Sequence, residues 1–244
     1  MRQLMIIVCT CMTAGCVAVS PALAGPGPLA KGFSVRVGSY EPTLDRSSEF
    51  SGSYNIPGIS GSFSGSATMC GETESVITLG LAYVSRRASG LDFRFAYDYR
   101  QESDMVYTSS TSEGGSTDIE PSEWPYSLHR VVFAWPYGIE VVADRLDLCL
   151  GFGLAAVFVT HPRPEEPVDD SQEDYIEYGA SVFPLVGAEF YMGDHFSISA
   201  EYQYHLGRTL NETRDYSNSY ISYSENSHLS LSGSRFETGL TYYF

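Results

Sequence analysis

Five histidines are the residues of this chain best suited to proton transfer: His129, His161, His195, His205 and His228. Hydrolysis by an activated serine needs a nucleophile, a base and an orienting acid in mutual reach. His205, with Ser232 or Ser234 and Glu201, could supply such a set for cleaving a lipid ester. No two histidines have the spacing of a zinc site. Asp169-Asp170 with Glu173-Asp174 could gather calcium, which takes several oxygens, but the glycine-centred loop of a calcium hairpin is missing, and a solvated acidic loop is the favoured reading. Tyr216, Tyr220 and Tyr223 lie among Ser and Asn, and Tyr175 and Tyr178 lie in the acidic segment. Tyrosine gives large contact area at low entropic cost, which suits contact with a protein or glycan, although an ordinary hydrophilic loop has a similar composition. No catalytic, cofactor-binding or metal-binding residue is assigned, and no cofactor is expected.

The elements that would position these groups are strands. Residues 234–244 alternate, with Phe236, Thr238, Leu240, Tyr242 and Phe244 on one face and Arg235, Glu237, Gly239, Thr241 and Tyr243 on the other. The same period-two pattern marks segments 33–41, 75–85, 91–100, 127–141, 147–159, 181–192 and 196–206. The third is the clearest: Leu91, Phe93, Phe95, Tyr97 and Tyr99 alternate with Asp92, Arg94, Ala96, Asp98 and Arg100. Pro136 inside the fourth implies a bulge or local irregularity.

Connections at 86–90, 142–146 and 193–195 are short, whereas 42–74, 101–126, 160–180 and 207–233 are long and rich in Ser, Gly, Asn, Tyr and acid. A transmembrane barrel separates short and long connections to opposite ends in this way. The polar face carries both signs: Arg36, Asp92, Arg94, Asp98, Arg100, Arg130, Asp147, Glu189, Glu201, Arg235 and Glu237. Charge at the centre of a lipid-facing wall costs roughly 2–4 kcal/mol per residue, so this face must turn inward. Eight strands leave an interior that side chains can fill, which predicts a salt-bridge network rather than an open channel. Small inward residues (Gly80, Ala96, Gly151, Gly153 and Gly239) would give the arginines room to cross.

Export and composition agree with this picture. Arg2, an apolar run through Val19, and Ala22-Leu23-Ala24 form a signal peptide over 1–24, leaving a single mature domain at 25–244. Cys16 follows Thr13-Ala14-Gly15 without the leucine usual three residues before a lipidated cysteine, so lipidation is not expected. Losing Arg2 with the leader leaves 13 basic and 30 acidic residues, a net charge of about −17, which excludes the basic footprint of a nucleic-acid binder. Cys70 and Cys149 would remain as free thiols at opposite ends of the fold.

The leader, the eight alternating strands, the four long connections and the terminal Phe244 resemble the small bacterial outer-membrane barrels of the OmpA, OmpX and opacity-protein kind. The resemblance implies an all-β, eight-stranded antiparallel transmembrane β-barrel with four long extracellular loops in the bacterial outer membrane. It further implies contact with outer-membrane lipids and lipopolysaccharide, and reading of the C-terminal strand by the barrel assembly machinery. The function expected is non-enzymatic: envelope structure plus surface-loop interaction with a host or surface ligand. A narrow pore for small solutes is the alternative, and a lipid-modifying enzyme stands behind both. Barrel deacylases carry a His-x-Ser spacing, and the residue two after His205 is Gly207. No peptidoglycan-binding domain follows Phe244, so no cell-wall tether is expected. Segments 220–224 and 227–232 alternate weakly and would make a hairpin beyond the membrane; in a ten-stranded barrel they would enter it.

Overall fold

The computed structural model describes residues 30–73, 76–86, 91–112, 115–161 and 175–244. The expected leader and the acidic residues Asp169, Asp170, Glu173 and Asp174 lie outside the described residues. Twelve strands are found among them: β1 (Lys31–Pro42), β2 (Arg46–Ile56), β3 (Ile59–Thr73), β4 (Val76–Ser85), β5 (Phe93–Ser112), β6 (Gly115–Val142), β7 (Leu146–His161), β8 (Tyr175–Tyr191), β9 (Phe196–Thr209), β10 (Glu212–Ser217), β11 (Ile221–Leu229) and β12 (Gly233–Tyr243).

Eight of these close an antiparallel barrel in the order β1-β4-β5-β6-β7-β8-β9-β12, and β12 pairs back onto β1 from Gly32 opposite Tyr243 to Pro42 opposite Gly233. Closure removes both sheet edges, so the backbone hydrogen bonds of the wall are satisfied within the wall, as a lipid environment requires. The alternation read from sequence sets the two faces. Phe33, Val35, Leu79, Leu81, Leu150, Phe152, Val182 and Leu240 point outward and are exposed, while the charged set points inward and, apart from the half-buried Glu189, is buried. Leu81 is 66% exposed and its neighbour Ala82 only 3%, and the exposed side forms a continuous apolar band far larger than a water-facing surface carries, as a wall meeting hydrocarbon requires. Aromatic residues gather at both ends of this apolar band: Phe33, Tyr83, Phe93, Trp135, Phe196, Tyr242 and Phe244 at one, Tyr99, Phe158, Tyr178, Tyr202 and Tyr204 at the other.

The strand ladders run well past the expected boundaries. Segment 101–126, read as a loop, is the upper half of the β5–β6 hairpin, and β8 begins at Tyr175 rather than at 181. Apolar alternation stops where the wall leaves the lipid, because neither face then needs apolar side chains, yet the backbone pairing continues. Tyr178 is therefore a wall residue whose ring meets Phe158 edge-on at 5.6 Å, not part of a loop. Segment 42–74 holds a hairpin, β2–β3, turned by Pro57 and Gly58; the glycine takes a φ of +88°, open to it because it lacks a Cβ. The hairpin expected beyond the membrane is present with a different pairing: 221–229 is one strand facing 212–217, and Ser230 makes a single bridge to Arg208. The barrel has eight strands, not ten.

Pro136 does mark an irregularity, on one side only. The β6–β7 ladder passes through it, with Pro136 opposite Gly151, while the β5–β6 ladder ends at Ala134 and resumes as one bridge from Tyr137 to Leu91. The small inward residues serve several neighbours rather than arginines alone. Gly239 lies beside Arg36, Gly153 receives the ring of Phe183, and Gly80 receives the carboxylate of Asp98 so closely that any Cβ there would collide with it. Gly80→Val is expected to lower the unfolding free energy by about 1–3 kcal/mol, the usual cost of overpacking, read from the urea midpoint of the refolded protein.

Candidate functional site: a sealed lumen beneath an outer sheet

The inward residues of the eight strands stack in layers. At the end with short turns, Tyr191 donates its hydroxyl to Asp147 at 2.8 Å and Tyr243 donates to Glu189 at 2.7 Å. Arg86 adds a hydrogen bond to Asp147 at 2.8 Å and lies 4.7 Å over the Tyr191 ring. Cys149 faces this layer, and Cys70 stands on β3 at the other end; both are free thiols.

The middle layer is an ion network. Arg94 holds Glu201 through two hydrogen bonds of 2.8 and 2.6 Å. Arg36 donates from Nε to Glu237 at 2.7 Å, and Arg235 reaches Glu237 at 2.6 Å and Asp98 at 2.8 Å. Arg130 reaches the same Asp98 oxygen at 3.1 Å, and Gln203 donates to both Glu201 and Glu237, at 2.6 and 3.1 Å. Arginines outnumber carboxylates here, and two of them also stack on tyrosine faces: Arg130 on Tyr40 at 4.6 Å and Arg100 on Tyr126 at 4.8 Å.

An apolar plug closes the top. Leu44, Leu128, Val157, Val159, Leu229 and Leu231 are essentially inaccessible and pack together. Leu44 and Leu231 come from the connections into β2 and β12, so the outer hairpins supply the stopper. At the upper rim of the lipid-facing wall, one residue past the belt residue Tyr178, Glu177 accepts from Arg46 at 2.5 Å and bonds His161 at 2.9 Å, clamping β2 to β7 and β8. Burial alone would raise the Glu177 pKa, but the hydrogen bond from His161 and the charge of Arg46 outweigh it and hold the carboxyl at about 2, below its ordinary 4.5. A depressed carboxyl pKa stabilises the fold fully above the unfolded value and loses that contribution as pH falls through the folded one. The clamp is thus expected to hold down to about pH 4.5 and to weaken progressively toward pH 2. Hydrogen exchange of the β2 and β8 amides should report this, and Glu177→Gln should remove the pH dependence.

The structure does not assemble the hydrolase set. His205 is fully buried in the lumen, bonded to the Ser181 hydroxyl at 3.1 Å and to the Gln203 side-chain oxygen at 2.9 Å, with Phe183 and Tyr40 against its ring. Glu201 is engaged by Arg94, Ser232 lies at the Gly207 amide, and Ser234 sits on the outward side of β12. His129 points outward and bonds the Tyr97 hydroxyl at 2.7 Å, and His195 bonds the Tyr243 carbonyl at 3.0 Å in a short turn.

Above the plug, part of the wall continues as an outer sheet in the order β10-β11-β2-β3-β5-β6. Its two faces differ sharply. Ser47, Ser51, Ser53, Ser62, Ser64, Ser66, Ser222 and Ser224 share the outward side. The inner side carries aromatics laid over glycines: Phe50 on Gly65, Tyr54 on Gly61 and Phe63 on Gly52. Tyr223 stacks on Phe63 at 6.4 Å, and Tyr216 and Tyr220 stand exposed at the end of the adjoining hairpin. The tyrosines were legible in sequence; the aromatic–glycine face was missed, though its signal is there, since Phe50-x-Gly52-x-Tyr54 and Gly61-x-Phe63-x-Gly65 both alternate with period two.

Fold and filled lumen together define a small membrane-spanning β-barrel of the outer-membrane type. No protein-family model and no curated protein sequence matches the chain. Among solved structures it is similar to the outer membrane protein OprG from Pseudomonas aeruginosa, at 10% identity and a TM-score of 0.55, covering 89% of this chain and 98% of that one. Neisserial surface protein A aligns at 13% identity and a TM-score of 0.37 over 87% of this chain and 97% of that one. The attachment invasion locus protein Ail of Yersinia pestis, solved with a heparin analogue, aligns at 10% identity and 0.38 over 87% and 99%. The OprG likeness identifies the shared fold, an outer-membrane barrel.

Proposed function

We propose that this chain is a non-enzymatic outer-membrane barrel that anchors an outer sheet at the cell surface for contact with a surface ligand. The observation that carries this reading is the pairing of a filled lumen with a wall that extends beyond it. The lumen is occupied by ion pairs and stoppered by Leu44 and Leu231, both fully buried. The strands nevertheless rise past the stopper into a sheet with an exposed tyrosine-bearing end. Function on such a scaffold resides in the protruding segments. The engagement of His205 with Ser181 and Gln203 supports a structural role for that histidine over a catalytic one.

Shortening the two hairpins, by replacing residues 50–65 and 215–224 with tight turns, tests the reading in cells. The truncated protein should keep the heat-sensitive gel shift of a folded barrel and lose attachment to glycan- or protein-coated surfaces. Attachment equal to that of the intact protein would contradict it.

A further inference from the structure

On the outward side of β9, Tyr202, Tyr204 and Leu206 face the lipid, and the next outward residue is Arg208. Arg208 lies opposite Ala180, and the Leu210 amide just past it donates to the carbonyl of the belt residue Tyr178, so Arg208 stands at the level of the aromatic belt, where the apolar wall meets the polar headgroup layer. A recess of about 240 Å³ opens beside it, at the foot of the serine face. Asn211, Asn226, His228 and Thr68 line it, together with one carboxylate, Glu49. Arg208 forms no ion pair with any described residue, unlike the lumen arginines Arg36, Arg94, Arg130 and Arg235. A guanidinium flanked by two carboxamides, an imidazole and hydroxyls matches the donor needs of a phosphate. The recess also continues the lipid-facing wall directly upward, so a phosphate carried by a lipid would place its acyl chains against Tyr204 and Leu206.

We infer that this recess binds the phosphate of an outer-leaflet glycolipid, with Arg208 as the charged contact. The inference rests on the proposed membrane orientation, with the hairpins outside. Glu49 opposes the anion, which gives the site a second, opposite signature.

The test uses the full mature chain refolded in detergent, without divalent cations, and native mass spectrometry of retained diphosphoryl lipid A. The same lipid stripped of its phosphates serves as comparison, and inorganic phosphate as competitor. Wild type should retain the phosphorylated lipid about tenfold or more over the stripped one. Arg208→Glu should abolish that preference, Glu49→Gln should strengthen it, and Lys31→Glu, the same charge change at the opposite rim, should leave it intact. Equal retention of the two lipids, equal retention by Arg208→Glu and wild type, or loss with Lys31→Glu would overturn the site. Displacement by millimolar inorganic phosphate would overturn the lipid as its source. Arg208 is exposed and its side chain is not part of the barrel packing, so its variant should keep the gel shift. A wild-type chain that binds lipid A but inserts with its hairpins on the wrong side would instead overturn the orientation.

Discussion

Replacing Asp98 by alanine is expected to lower the unfolding free energy by about 3–5 kcal/mol, the usual consequence of removing one partner of a buried ion pair. Asp98 is the shared acceptor of Arg130 and Arg235, at 3.1 and 2.8 Å, and Arg235 links it to Glu237 at 2.6 Å. Its loss leaves Arg130 with no carboxylate among the described residues and Arg235 with Glu237 alone, in a lumen where both guanidiniums are at most 1% exposed. Denaturant titration in lipid vesicles, followed by the heat-sensitive gel shift, reads the cost. A companion variant with Asp98→Leu, Arg130→Met and Arg235→Met replaces the cluster with apolar groups of similar reach and should recover most of the stability. A loss below about 1 kcal/mol from Asp98→Ala would mean that water already solvates these charges, as it would in a hydrated pore.

The second large effect is on the other face of the same wall. Leu81→Arg is expected to cost roughly 2–4 kcal/mol in a bilayer, because a charge would then stand in hydrocarbon between the two aromatic belts. Leu81 is 66% exposed and packs on little within the chain. In a water-soluble sheet the same substitution would fall within about 0.5 kcal/mol of neutral. Vesicle unfolding of the variant against wild type separates these outcomes, and a neutral result would remove the membrane from the explanation of this surface.

The sequence made the barrel legible where both environments impose a choice on each residue. Between Phe93 and Arg100 lipid demands an apolar residue at every second position and the lumen accepts charge between them, so alternation reveals strand and orientation together. Past Arg100 that double demand ends, and the continued pairing of Met105 with Trp124 left no period to read. The inward charges were foreseen as a set; their partners were not, because which arginine meets which carboxylate depends on strand register and tilt around the closed wall. Asp98 and Arg235 are 137 residues apart in sequence and 2.8 Å apart in space. The plug was hidden for a related reason: Leu44, Leu229 and Leu231 lie in serine-rich connections and become a core only when the outer hairpins fold over the mouth of the barrel. Arg208 carried no signal of its own, since its meaning comes from its height on the wall.

Single-channel conductance of the refolded mature chain in a planar bilayer tests the central claim most directly. Insertion is verified beforehand by the heat-sensitive gel shift. The layered ion network and the plug predict silence from folded, inserted protein. Reproducible stepwise currents would contradict the sealed lumen and make the barrel a small pore.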